Sequence, residues 1–100
     1  MKANQTTQSS HAVLETVRGV LRELLERQGV RDAQIEPETS VFDDLGVDSL
    51  MLVDLTILLE ERLSLEEFPV QAWVDSEALV QGTRYTVASI VRLCGELVRS

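Results

Sequence analysis

The sequence predicts an all-α protein, a four-helix bundle with a long loop after its first helix and a short third helix. Three observations carry that expectation. Apolar residues recur at three- and four-residue steps through the stretches beginning near Ser10, Ser49 and Thr86. Alternating runs of β-branched or aromatic residues, which would build strands, are few. Gly29, Pro37, Gly46, Pro69 and Gly82 fall where those stretches would stop, turn or restart. With 100 residues, 44% of them apolar, the chain makes one globular domain whose stability margin is on the order of 5–15 kcal/mol.

Residues 1–9 are polar and are expected to be a disordered tail, leaving residues 10–100 as the domain. The first helix starts at Ser9 or Ser10, whose hydroxyls can cap it, and ends before Gly29. Val13, Val17, Val20, Leu21 and Leu24 share one face, with Leu14 and Leu25 at its edge and Glu15, Arg18, Arg22 and Glu26 opposite. The connection from Val30 to Asp48 is long, so it should pack down through Ile35, Val41, Phe42 and Leu45. The second helix spans Ser49 to Leu63. At about 100° per residue, Leu52, Leu55, Leu59 and Leu63 fall within one sector of roughly 80°, the expected core stripe. Leu50, Val53 and Ile57 then lie on the far side among Asp54, Glu60 and Glu61, with Met51 at the edge.

A short helix or two broken turns should follow Pro69 and stop by Gly82, anchored by Phe68, Trp73 and Leu79. Trp73 reads as a lid on the core, with no aromatic neighbours in sequence. The last helix begins near Thr86 and places Val87, Ile90, Val91, Cys94, Leu97 and Val98 on one stripe, which makes Cys94 a core residue rather than a nucleophile.

Charge narrows the function. The net charge is −8, and thirteen of the seventeen acids lie between Asp32 and Thr83, where Arg62 is the only base. Such a field repels nucleic acid and draws basic protein surfaces, with an association rate that falls as salt rises. A single cysteine allows no internal disulfide, and no apolar run approaches the length of a membrane span, so a cytoplasmic monomer is expected. The lone His11 has neither a second histidine nor a cysteine pair with which to hold a metal or act as a base. A serine hydrolase would need a general base and a Gly-x-Ser-x-Gly elbow, and neither accompanies Ser49. The domain is therefore expected to catalyse nothing itself.

The stretch Val41-Phe42-Asp43-Asp44-Leu45-Gly46-Val47-Asp48-Ser49-Leu50 concentrates the remaining information. Gly46 can reverse the chain, after which Asp48 or Ser49 can cap the second helix, a role worth about 1 kcal/mol. Leu50, Val53 and Ile57, ringed by carboxylates and beginning beside Ser49, make a docking strip for a protein partner. The run Phe42-x-x-Leu45-Gly46-x-Asp48-Ser49-Leu50, followed by a helix rich in Leu and acids, resembles the acyl carrier protein family. The resemblance covers roughly residues 10 to 98 and is specific from Phe42 to about Leu63.

That resemblance implies a four-helix bundle of acyl-carrier type in which phosphopantetheine, taken from coenzyme A by a phosphopantetheinyl transferase, is joined to Ser49 and carries cargo as a thioester. It makes Asp48 a contact for the transferase. Leu50, Met51, Val53, Asp54, Ile57, Glu60 and Glu61 become candidate contacts for acyl-loading, acyltransferase or synthase enzymes with basic docking surfaces. Two departures, the apolar Met51-Leu52 pair after Leu50 and the long Pro69 to Tyr85 segment before Thr86-Val87, point to a discrete carrier of polyketide or related natural-product synthesis. An aminoacyl or peptidyl carrier and an unmodified helical adaptor are the alternatives.

Overall fold

The computed structural model describes residues 10–99, so the expected N-terminal tail lies outside the described residues. Four helices follow in order: α1 at Ser10–Arg27, α2 at Ser49–Leu63, α3 at Val70–Glu77 and α4 at Val87–Arg99. Among the described residues there is no strand, only one isolated antiparallel bridge between Ser40 and Thr86. The all-α, four-helix expectation holds, with the long first loop and the short third helix in place.

Helix α1 is the spine. Val13, Val17, Val20, Leu21, Leu24 and Leu25 are all buried, and each buried aliphatic side chain contributes roughly 1.5–3 kcal/mol. Leu25, expected at the edge, is sunk into the core because α1 is packed on two sides, by α2 and by α4. The helix ends in a Schellman turn: the Val30 N–H donates to the Leu25 carbonyl and the Gly29 N–H to that of Glu26, with Gly29 at φ 84°. Helix α4 contributes Val87, Ile90, Val91 and Cys94 to the core. Its first turn is capped by Thr86, whose Oγ1 accepts from the Ser89 N–H at 3.1 Å.

Helix α2 sits in a different phase from the expected one. Its buried residues are Met51, Leu55 and Leu59, while Leu52 and Leu63 are only half-buried. The stripe is turned by some tens of degrees toward Met51, about half the 100° that separates one residue from the next. So many leucines surround this helix that its own pattern fixes no phase, and contact with α1 decides it. Arg62 joins the two helices by an ion pair to Glu23 at 2.8 Å, and Glu23 also holds Arg27 at 2.8 Å. The Arg62 hydrogen bond is the main influence that lowers the Glu23 carboxyl below its usual range.

Two expectations about the third helix change. Leu79 is 84% exposed rather than an anchor, because α3 ends at Glu77 and the chain beyond it runs over the surface. Trp73 is buried as expected but is not isolated. Its ring centroid lies 6.0 Å from that of Phe42 and 5.6 Å from that of Tyr85, and Phe42 and Tyr85 are 4.8 Å apart. These rings come from three separate segments, and edge or tilted contacts of this kind add about 0.5–1.5 kcal/mol per pair beyond area burial. The indole N–H donates to Ser89 Oγ at 2.9 Å, which satisfies its one polar atom.

Candidate functional site

The loop before α2 is held by its own short polar side chains. Asp44 and Leu45 donate their N–H groups to the Ser40 carbonyl at 2.9 and 3.2 Å. In return Asp44 Oδ2 accepts from the Ser40 N–H at 2.9 Å, and Ser40 Oγ accepts from the Asp43 N–H at 3.2 Å. Gly46 then adopts φ 72°, a left-handed conformation that suits glycine, and reverses the chain. The Val47 N–H donates to the Val41 carbonyl at 3.0 Å, closing the loop on itself, and the Val47 side chain is buried.

From that fixed point Asp48 extends at φ −101°, ψ −177° and caps α2, its Oδ1 accepting from the Met51 N–H at 2.9 Å. The sequence left the cap open between Asp48 and Ser49, and the structure assigns it to Asp48. Ser49 is the first helical residue and is exposed, and its hydroxyl bonds to none of the described residues. It stands at the positive end of the α2 dipole, where a phosphate is favoured by charge and by unpaired N–H groups.

The rest of the candidate set divides by exposure. Leu50, Val53 and Ile57 are 73, 54 and 47% exposed and lie on the face opposite Met51, Leu55 and Leu59. Asp54 and Glu61 are exposed on the same side. Met51 does not join this strip: it is 7% exposed and packs in the core, since the phase of α2 turns its thioether inward. Glu60 is half-buried, and its Oε2 accepts from the Phe68 N–H at 2.8 Å, so it braces the segment after α2. The periodicity that placed Glu60 among the docking residues carries no sign of this tie.

Elsewhere the surface offers less. A cleft of about 290 Å³ between α3 and α4 is walled by Trp73, Ser76 and Leu93. Among the described residues no group of His, Cys, Asp and Glu could hold a metal ion, and no helix is long and apolar enough to cross a membrane. Cys94 is sealed in the core, and burial pushes its thiol up to about 12.

A small helical bundle that holds a serine outward at a capped helix start, beside an apolar strip rimmed with acids, has the form of a carrier domain. The family model described as "Phosphopantetheine attachment site" matches residues 15–72, more than half of the chain, and the chain belongs to that family. Its prosthetic group is covalently attached phosphopantetheine. Carrier domains of this family generally meet phosphopantetheinyl transferases and synthase or acyltransferase enzymes. The match ends inside α3. No solved structure matches the chain significantly.

Proposed function

We propose that Ser49 is the attachment residue and that the chain serves as an acyl carrier protein in specialised, polyketide-type biosynthesis, acting in the cytoplasm on behalf of partner enzymes and catalysing nothing itself. The observation that supports the reading is the division of labour at the start of α2. Asp48 takes the cap, so the neighbouring hydroxyl is spared from structural use and left facing water. Ser49 Oγ gives up its proton and attacks the pyrophosphate of coenzyme A, breaking the P–O–P bond and releasing the adenosine bisphosphate half as the phosphodiester forms. The first turn of α2 faces the phosphate, and Asp48 meets the transferase. The bound arm supplies a terminal thiol on which cargo travels as a thioester.

Leu50, Val53 and Ile57 form the apolar centre of the partner surface, and Asp54 and Glu61 form its acidic rim. A basic enzyme surface complements that rim and would be steered toward it. The acyl rather than aminoacyl reading rests on the Leu45-Gly46-Val47-Asp48-Ser49-Leu50 wording. The specialised pathway rests on the apolar Met51-Leu52 pair and on the long segment between α3 and α4.

Incubation with coenzyme A, Mg²⁺ and a broad-specificity phosphopantetheinyl transferase should raise the intact mass by one phosphopantetheine, and Ser49→Ala should abolish the gain. No gain on the wild-type chain with an active transferase would refute the assignment. Loading with acyl-coenzyme A donors against amino-acid-activating enzymes then separates acyl from aminoacyl cargo. An adaptor role would instead leave partner function intact in Ser49→Ala.

A further inference from the structure

Glu77 is the only buried carboxylate among the described residues. It is 8% exposed, at the last turn of α3, and no described Lys or Arg forms a salt bridge with it. Burying a carboxylate is costly unless hydrogen bonds compensate, so its partner is informative. Glu77 Oε1 accepts from the Tyr85 N–H at 2.8 Å. The Tyr85 carbonyl accepts from the Val41 N–H at 2.9 Å, and the Val41 carbonyl accepts from the Val47 N–H at 3.0 Å. Val47 immediately precedes the Asp48 cap and Ser49. Three consecutive hydrogen bonds thus run from the end of α3 to the residue before the cap of α2.

The surroundings reinforce this line. Tyr85 is held at φ 57°, a left-handed conformation that disfavours any residue but glycine, so its neighbours must impose it. Its ring lies against Phe42 on the loop and Trp73 on α3. Beside it the Val87 N–H donates to the Thr39 carbonyl and the Ala88 N–H to the Pro37 carbonyl, at 2.9 and 2.8 Å. The loop that presents Ser49 is therefore fastened by backbone hydrogen bonds along residues 85–88.

We propose that Glu77 is a positioning residue for the loading of Ser49, setting the loop before α2 through Tyr85, Val41 and Val47. The proposal rests on Ser49 as the attachment residue. It also accounts for the long α3 to α4 segment, since that connection closes on Glu77 and, so closed, offers the Tyr85 carbonyl to the loop. Without the carboxylate the loop loosens and a transferase must order it on binding, which raises KM and leaves kcat nearly unchanged.

The test uses the full chain with coenzyme A and a broad-specificity transferase, with initial rates read by intact mass and amide hydrogen exchange measured alongside. Glu77→Leu should raise KM for the carrier about tenfold, the effect of losing one partly buried hydrogen bond. Exchange at the Val41 and Val47 amides should quicken while Leu21 and Leu59 keep their rates. Glu77→Gln retains an acceptor oxygen and should load within about twofold of wild type. Wild-type kinetics in Glu77→Leu, equal slowing in Glu77→Gln, or a uniform rise in exchange across α1 and α2 would each overturn the proposal.

If Glu77→Leu does not fold, native-state exchange of the wild type decides. The Tyr85, Val41 and Val47 amides should then open together with one denaturant dependence, and independent opening overturns the coupling. A wild-type chain that gains no mass refutes Ser49 as the attachment residue, while the exchange measurement still reads the relay.

Discussion

Asp48 stands at the junction between stability and recognition, and two substitutions there separate the two. Its Oδ1 accepts from the Met51 N–H at 2.9 Å, and its charge lies at the positive end of α2. Asp48→Ala removes a cap worth about 1 kcal/mol and a charge–dipole attraction worth about 0.3–1 kcal/mol. The expected loss is about 1–2 kcal/mol, or roughly 5–10 °C in Tm for a domain of this size. Asp48→Asn keeps a side-chain oxygen that caps about equally well and gives up only the charge, so its loss should stay near the lower, electrostatic figure. Urea unfolding and calorimetry measure both, and transferase loading is followed on the same samples. If the carboxylate meets the transferase, Asp48→Asn loads several-fold more slowly despite near-native stability. Asp48→Ala with wild-type stability would refute the capping argument. Asp48→Asn with wild-type loading would refute the contact and leave Asp48 as a cap alone.

Other expectations follow from the same geometry. Ser49→Ala should change unfolding free energy by no more than about 0.5 kcal/mol, because its hydroxyl holds nothing in place and Asp48 does the capping; a loss above about 1 kcal/mol in urea titration would contradict this. Val53→Glu and Ile57→Glu should likewise leave Tm within a few degrees yet weaken capture by a basic synthase partner at least tenfold by surface plasmon resonance, since both side chains are exposed. The Cys94 thiol ionises near 12 in the folded state against 9.0 for a free thiol, so the unfolded chain loses its proton first as pH rises. The stability that this group contributes is thus intact below about pH 9 and falls by about 1.4 kcal/mol per pH unit from there toward 12. Denaturation midpoints of wild type and Cys94→Ala, compared at pH 8 and pH 10, should show the wild type losing more over that interval.

What could be read from the sequence was what is local. Val13 through Leu24 and Val87 through Cys94 declare their faces because polar residues separate the apolar ones, so periodicity fixes the phase. Gly29 and Gly46 mark a stop and a reversal that their φ angles of 84° and 72° require. Ser49 stands out as a candidate through its neighbours from Phe42 to Leu50, while its freedom from capping depends on Asp48 folding back on Met51. The phase of α2 was hidden because leucines surround that helix, so packing against α1 decided that Met51 turns inward. The Phe42, Trp73 and Tyr85 cluster joins residues from three segments and leaves no local pattern. Leu79 looked like an anchor by hydrophobicity alone, although the chain past Glu77 has nothing to bury it. Glu77 itself resembles any other surface acid until the Tyr85 N–H is seen to need an acceptor.

The enclosure of Cys94 has a chemical corollary. It is the one sulfhydryl that the amino acids of this chain supply, and it is walled off in the hydrophobic core at essentially zero exposure. A native chain without its prosthetic arm should therefore be silent to maleimides and to disulfide-exchange reagents, and one that bears the arm should answer with a single equivalent. Cargo on the arm has no accessible protein thiol to migrate to, so neither acyl transfer to the chain's own cysteine nor self-capping by an internal mixed disulfide is open to the folded molecule.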